Sequence, residues 1–269
     1  MNDAKERAFR YDLFITPDWR DRFDTLINDN YKLPLEGRIL DVNCGTGAHA
    51  LELADRMRGK GEVIGIDPSV ERIELARAKA VVKKAESVRF DKGIASDLPF
   101  DSHEFDVVIG DASMLRSHEI EDVLAEMVRV AKPEGRVILK LTTHGSFDEF
   151  FSIYWEALHD LGLADEEWRA LERLINERPT VSDAEQIAER LGLGHVESFT
   201  SKEEFSYKTA EEFLESPLIK DCFLSEWLEI VPEANRDQAY GQVASIIERE
   251  RHDAPFDVSI KATIIAGVK

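Results

Sequence analysis

The sequence is short of cysteine, of positive charge and of long apolar runs, and each shortage removes a class of protein. Its two cysteines, Cys44 and Cys222, make no disulfide framework, and no Cys/His pair has metal-ligand spacing. Neither disulfide stapling nor a structural zinc is expected, and no metal site is assigned. No run approaches the roughly 18–20 apolar residues that cross a bilayer, and the start, MNDAKERAFRYDLF, lacks the basic-then-apolar pattern of a secretory signal. These readings predict a cytoplasmic protein with no membrane partner. Lys and Arg total 34 against 54 Asp and Glu, a formal charge of −20. Such a surface repels the phosphate backbone, so no nucleic-acid partner is expected. A salt-adapted source accounts for the acidity as well as an ordinary acidic enzyme does. Repeats, low-complexity tracts and Gly/Ser/Pro linkers are missing too, which points to a single domain over 1–269. The chain carries no marker of oligomeric state.

What is present is a change of hydrophobic period. Apolar residues make up 43% of the 269, enough for a sizeable core. Residues 1–34 read as helical, with Trp19, Phe23, Leu26 and Ile27 at helical spacing, Thr16 as a cap and Pro17 at a first helical position. RILDVN (38–43), EVIGID (62–67), VRFDKG (88–93), FDVVIGD (105–111) and GRVILKLTT (135–143) are short β-rich runs, with helical patterns at 46–58, 69–84 and 118–131 between them. Repeated β-α-β predicts an α/β fold, a doubly wound, mostly parallel sheet covered on both faces. Beyond 145 the pattern is helical at 147–161, 165–177, 183–192, 209–230 and 233–252, with capping-box spacing at Ser146/Glu149, Ser182/Glu185 and Thr209/Glu212. HVESFTS (195–201) and DVSIKATIIAGVK (257–269) read as late strands on an antiparallel edge. The expected organisation is an N-terminal helical lid (1–34) and helical additions at 145–194 and 206–254 that form a substrate cap.

The stretch RILDVNCGTGAHA joins a strand to a helix through Gly45 and Gly47, and fits G-x-G-x-x-A. Asp41, four residues before Gly45, argues against a dinucleotide, because a carboxylate there lies where a pyrophosphate must sit. The same carboxylate suits a ligand that brings an ammonium group, and the glycines let the backbone approach it. Otherwise the loop is only a tight turn. Asp67, 22 residues after Gly45 and followed by Pro68, can accept both hydroxyls of a ribose or simply cap a helix. Asp97, in GIASDLPFDSHEFD, can accept from an exocyclic amine of a base or serve as an Asx-turn residue.

ILDVNCGTG, VIGIDPSVERIELARAKA, GIASDLPFDSHEFDVVIG and EMVRVAKPEGRVIL together resemble, in order and spacing, the motifs of class I S-adenosylmethionine-dependent methyltransferases. The likeness covers about residues 36–142 and is closest to the group acting on small molecules. It implies a Rossmann-like sheet of seven strands in the order 3-2-1-4-5-7-6, the seventh antiparallel, and S-adenosyl-L-methionine as cofactor. By position, Asp41, Cys44 and Gly45 would meet the methionine part, Asp67 the ribose, Pro68 the adenine neighbourhood, Ser96 and Asp97 the adenine amine, and Asp111 the segment after strand four. Two residues depart from the pattern: Asn43 stands where glycine is usual, and Glu134 replaces the first glycine of the strand-five turn. Asn tolerates positive φ, so Asn43 is compatible with binding and is kept among the cofactor residues.

Methyl transfer from a sulfonium is an in-line displacement whose main demand is placement of the nucleophile. GDASML at 110–115 is not an Asn-Pro-Pro-Tyr element, which disfavours amide methylation of DNA or protein. His118 and His144, just beyond strand carboxyl ends, are the general-base candidates, with helix capping or surface exposure as the plainer alternative. Phe147, Phe150, Phe151, Tyr154, Trp155 and Leu158 make one aromatic helix face, and Phe213, Leu214, Leu218, Phe223, Leu224, Trp227 and Leu228 a second apolar segment; each is core or pocket wall. Tyr11 and Trp19, with Phe14, would close over the cofactor. The reading is a methyltransferase for a small organic acceptor with an apolar portion. Its rivals are a protein or peptide methyltransferase, a cofactor-binding protein without transfer activity and, least favoured, a nicotinamide dehydrogenase.

Overall fold

Side chains along the short strands point by turns into two different cores, and that alternation fixes the layers. The chain, described over residues 3–269 by a computed structural model, opens with α1 (Asp3–Arg10), a π-helical stretch (Tyr11–Arg20) and α2 (Asp21–Asn30). Then follow β1 (Gly37–Val42), α3 (Ala48–Met57), β2 (Gly61–Asp67), α4 (Val70–Lys83), β3 (Val88–Lys92), β4 (Phe105–Asp111), α5 (Ser117–Val130) and β5 (Ala131–Thr142). After these come α6 (Asp148–Asp160), α7 (Ala164–Ile175), α8 (Val181–Arg190), β6 (Gly194–Tyr207), α9 (Ala210–Leu214), α10 (Pro217–Cys222), α11 (Leu224–Glu229), α12 (Arg236–Glu250) and β7 (Phe256–Val268). The seven strands form one sheet in the order β3-β2-β1-β4-β5-β7-β6. β1 to β5 pair in parallel, and β7 runs antiparallel to β5 with Arg136 opposite Val268 and Thr142 opposite Ala262. This is the order the sequence motifs imply.

The described chain divides into two compact units. Unit 1 holds residues 1–142, 180–201 and 262–269. On one face of its sheet Leu40, Val42, Ile64, Val108 and Leu139 pack with Ile120, Val123, Leu124 and Met127 of α5 and with Ala184 and Ala188 of α8. On the other, Ile39, Val63, Val107, Ile109 and Ile138 pack with Ile27 of α2, with Ala50, Leu53 and Met57 of α3, and with Ile73 and Ala76 of α4. Neighbours along each strand thus serve opposite cores, as a sheet covered on both faces requires. The helix over 181–190, grouped in the sequence with the helical additions, belongs to unit 1 because its two alanines seat against this sheet.

Unit 2 holds residues 143–179 and 202–261. Its centre is aromatic: Trp227 stacks on Phe150 at 4.3 Å and on Phe223 at 5.5 Å, Phe147 meets Phe223 and Trp227 at 5.1 Å, and the Tyr154 hydroxyl donates to Trp227 O at 2.8 Å. Both apolar stripes are therefore mostly core, while Trp155 stays 43% exposed. It shares a cavity of about 830 Å³ with Phe151, Trp168 and Ile175.

Local chemistry departs from the sequence reading at four places. Pro17 starts no helix and Thr16 caps none: both lie inside the π-helical stretch. A proline offers no N–H to the helical ladder, and the wider turn, with Asp21 N reaching Thr16 O, absorbs that loss. Ser146 and Glu149 form no capping box, because Ser146 Oγ donates to Thr143 O and accepts from Lys261 N, and Glu149 binds Ser259. The box at the start of α8 is made by Thr180 and Asp183 instead of Ser182 and Glu185, the latter accepting from Ser198. The single helix expected over 209–230 is three short ones, since Pro217 must begin a helix; Ser216 caps it through Ile219 N. At Thr209 half of the expected box forms: its hydroxyl accepts from Glu212 N at 3.0 Å, while the Glu212 carboxylate accepts from Lys208 N.

Lys140 is the exception to the apolar run of β5. It is fully buried and its ammonium pairs with Asp24 of α2, itself 5% exposed. Removing one member of a buried pair strands the other charge. Lys140→Met should therefore cost about 3–5 kcal/mol in urea unfolding, and Lys140→Met combined with Asp24→Leu should recover at least half of that. A single variant as stable as the parent would show that the pair does not anchor α2.

Candidate functional site

β2 and β4 finish in a buried acid and β1 carries one beside its last residue, all on the sheet face that α2 and α3 cover. Asp41, Asp67 and Asp111 are 0%, 2% and 6% exposed. They differ in how their oxygens are used. Asp67 spends one oxygen on Gly45 N at 2.9 Å and the other on Ser69 N at 2.9 Å, so it ties the glycine loop after β1 to the end of β2. Ser69, rather than Asp67, caps α4 by accepting from Arg72 N. Asp111 accepts from Ser113 N and Oγ through Oδ1, while its Oδ2 faces Arg20 Nη1 at 3.2 Å. Asp41 has no hydrogen-bond partner at either oxygen among the described residues. Burial pushes its pKa up to about 6, against the pull of Lys140 and Arg20.

The glycine loop is shaped by backbone that few side chains allow. Gly45 (φ +60°) and Gly47 (φ +77°) are left-handed, and a Cβ on Gly47 would lie 2.5 Å from the Phe90 ring. Asn43 takes the same region at φ +56°, and its side-chain amide donates to Asp111 O at 2.9 Å. The residue in the place of a glycine thus joins the β1 loop to β4. Glu134 likewise keeps a glycine-like φ of +63°. Cys44 turns inward: its thiol packs in the core and is pushed well above the ordinary thiol pKa by burial.

The segment 11–20 lies directly on this loop. An imagined Cβ on Gly45 would stand 3.0 Å from the Tyr11 ring and 3.4 Å from Arg20 Nη1. Arg20 donates to the Tyr11 hydroxyl at 3.0 Å, Trp19 Nε1 donates to Ser113 Oγ at 2.9 Å, and Lys79 binds Asp12 at 2.6 Å while Asp12 also accepts from Thr46. Arg72 stacks on the outer face of Tyr11 at 3.8 Å. Arg20 is 5% exposed and its Nη2 has no hydrogen-bond partner among the described residues. The sequence reading missed Arg20. Its signal was a pair of charges, Arg20 and Asp24, at i and i+4 on a helical stripe that also carries Ile27.

A second part of the site is a cavity of about 180 Å³ lined by Asn43, Pro68, Ala95, Ser96, Leu115 and His118, among others. Its floor is fixed from α5: Leu98 N donates to Glu126, and Arg129 donates to Leu98 O and Phe100 O. Asp97 sits at the adjoining turn, exposed, its N–H bonded to Ile94 O. His118 lines this cavity instead of joining the buried charges. His144 belongs to unit 2, half-buried, its N–H bonded to Pro179 O. The structure therefore brings Asp41, Asp67, Asp111, the glycines, Tyr11 and Trp19 into one region and the two histidines into separate units. His49 was not foreseen either. Burial holds its pKa down near 4, and its Nδ1 lies 3.3 Å from Asp24.

No helix of the described residues is long and apolar enough to cross a membrane, and the described residues hold no cluster of His, Cys, Asp or Glu able to grip a metal. Residues 36–189 match the family model described as a methyltransferase domain. A Lactococcus lactis protein named demethylmenaquinone methyltransferase is 31% identical over 169 residues, which is 59% of this chain and 66%, just under two thirds, of that protein. Among solved structures, the YcgJ protein of Bacillus subtilis superposes with a TM-score of 0.57 at 21% identity, covering 93% of this chain and 98% of that one. A Haemonchus contortus phosphoethanolamine N-methyltransferase 2, in complex with phosphomonomethylethanolamine and S-adenosylhomocysteine, superposes with a TM-score of 0.56 at 18% identity, over 97% of this chain and 57% of that one. These last two likenesses concern the fold. The matched model covers more than half of the chain, and the chain belongs to the methyltransferase-domain family.

Proposed function

We propose that this protein is an S-adenosyl-L-methionine-dependent methyltransferase that acts on a small organic acceptor. One observation carries the reading: two unspent buried groups of opposite charge, the Asp41 carboxylate and Arg20 Nη2, lie in the same cluster beside Gly45. A zwitterionic amino-acid moiety offers an ammonium to the first and a carboxylate to the second. A pyrophosphate offers nothing to Asp41. The residues thus fit the methionine end of the cofactor, and the cavity beside Pro68 and Ser96, floored by the pinned loop 94–98, fits its planar base. Asp67, positioned by Gly45 and Ser69, is assigned the ribose hydroxyls. Asp97 and Asp111 frame the base and the methionine end respectively.

When bound, the cofactor supplies an electrophilic methyl on sulfur, so this chain needs to orient and to exclude water. Arg20 and Asp41 fix the polar end by charge-assisted hydrogen bonds. The stretch 11–20 serves as a lid: Tyr11 and Trp19 cover the loop, and the Asp12 contacts to Lys79 and Thr46 latch it to α4 and to the glycine loop itself. His118 and His144 stay the candidates for removing a proton from the acceptor. The small-molecule acceptor named for the Lactococcus lactis relative agrees with the proposed class of acceptor.

Calorimetry with S-adenosyl-L-methionine, followed by a methyl-transfer screen over small acceptors, tests the reading; binding without turnover on any acceptor would reduce the protein to a cofactor-binding one. Asp41 must be ionised to meet an ammonium, so cofactor affinity should rise with pH through about 6 and level off above it. In the apo protein the sign is opposite. Because the folded state keeps this proton to a higher pH than the unfolded chain, stability falls by roughly 3 kcal/mol from this group between about pH 4 and 6. Asp41→Asn should abolish both trends and weaken binding at pH 7.5 by about tenfold or more. Identical pH profiles in the two proteins would remove Asp41 from the cofactor site. Asp67→Ala should weaken the cofactor by about 1–3 kcal/mol and lower Tm as well, since it also frees Gly45 N–H; lost Tm with unchanged affinity would leave Asp67 a purely structural tie.

A further inference from the structure

Unit 2 contains a cation laid over aromatic rings, with no ion pair to it among the described residues. The Arg178 guanidinium lies over two aromatic faces, its central carbon 5.3 Å from the Phe147 ring centre and 5.9 Å from that of Phe223. No carboxylate among the described residues makes an ion pair or hydrogen bond with it; Glu177 and Glu226 act on it only through space. Burial pulls its pKa below the ordinary guanidinium value, partly offset by those two acids, yet a guanidinium stays protonated. A long surface arginine usually carries its head into water. This one is held half-buried against rings that are themselves 0% and 4% exposed.

The support beneath it is rigid and strained. Phe147 adopts φ +63°, a region that a bulky side chain rarely takes. Its N–H bonds Ser259 O at 2.7 Å and its ring is wedged between Phe223 and Trp227 at 5.1 Å each. The backbone following Arg178 is tied as well, Pro179 O accepting from His144 N at 2.9 Å. A planar fork of donors on a fixed aromatic base matches the two coplanar oxygens of an acid group.

We propose that Arg178, seated on Phe147 and Phe223, is the receptor for an oxyanion group, a carboxylate or a phosphate, carried by a small apolar molecule. Taking that molecule as the methyl acceptor rests on the proposed function; the anion binding does not.

Calorimetry of the full chain without cofactor, using benzoate, phenyl phosphate and the uncharged benzyl alcohol, tests this. Both anions, or one of them, should bind at least about tenfold more tightly than benzyl alcohol, and the tighter one identifies the acid group. Arg178→Gln should remove that preference and leave benzyl alcohol unaffected. Arg178→Lys keeps the charge but not the fork and should fall between; it decides alone if circular dichroism shows the Gln variant unfolded. Equal binding of the three probes, or anion binding unmoved by the substitution, would overturn the proposal. Anion binding in a chain that fails to bind S-adenosyl-L-methionine would keep this inference and sink only the assignment to a methyl acceptor.

Discussion

A carboxylate kept from water with both oxygens unpaired is expensive, and the Asp41 side chain is in that state at the end of β1. The charges near it pull in both directions. Lys140 and Arg20 lower the cost of its charge, while Asp24 and Asp111 raise it, and burial still wins, leaving the group poised near pH 6. Asp67, by contrast, accepts from two backbone N–H groups. The lack of such donors at Asp41 makes sense if the missing partner arrives with the ligand.

The fold explains why such charges can gather there. Parallel strands bring their carboxyl ends to one edge, and the pleat sends Asp41, Asp111 and Lys140 to the same side of the sheet. α2 covers that side and contributes Asp24, and the π-helical stretch before it contributes Arg20, so the N-terminal segment is at once part of the core and part of the site. The second unit is built differently, from interlocked rings with few buried charges. That contrast separates a unit with buried charges from one packed on apolar surface, where the Arg178 guanidinium lies over two rings.

Much of this was legible in the residues because strand ends are where the hydrophobic period stops. Each of Asp41, Asp67 and Asp111 closes a β-rich run, and the glycine loop follows the first of them. The sheet order came from the family motifs, not from periodicity. Tertiary fit was not legible. Arg20 sits in a helical stripe beside Trp19, and no local pattern says that its head turns inward to Tyr11 and Asp111. Lys140 left a faint sign, a lone charge inside an apolar strand, which a search for broken runs would have caught. The π-helical turn around Pro17 depends on how that segment seats against Gly45, which lies 28 positions away. The caps misread at Ser146 and Ser182 failed for a related reason: the matching acids, Glu149 and Glu185, found partners distant in sequence, Ser259 and Ser198.

The most direct test of the central claim compares two ligands that share a nucleoside and a thioether but differ in the amino-acid end. If Asp41 and Arg20 grip that end, S-adenosylhomocysteine should bind about a hundredfold more tightly than methylthioadenosine at pH 7.5, as expected for two charge-assisted contacts. Equal affinities for the two would mean that the buried pair does not read the zwitterion, and would contradict the account.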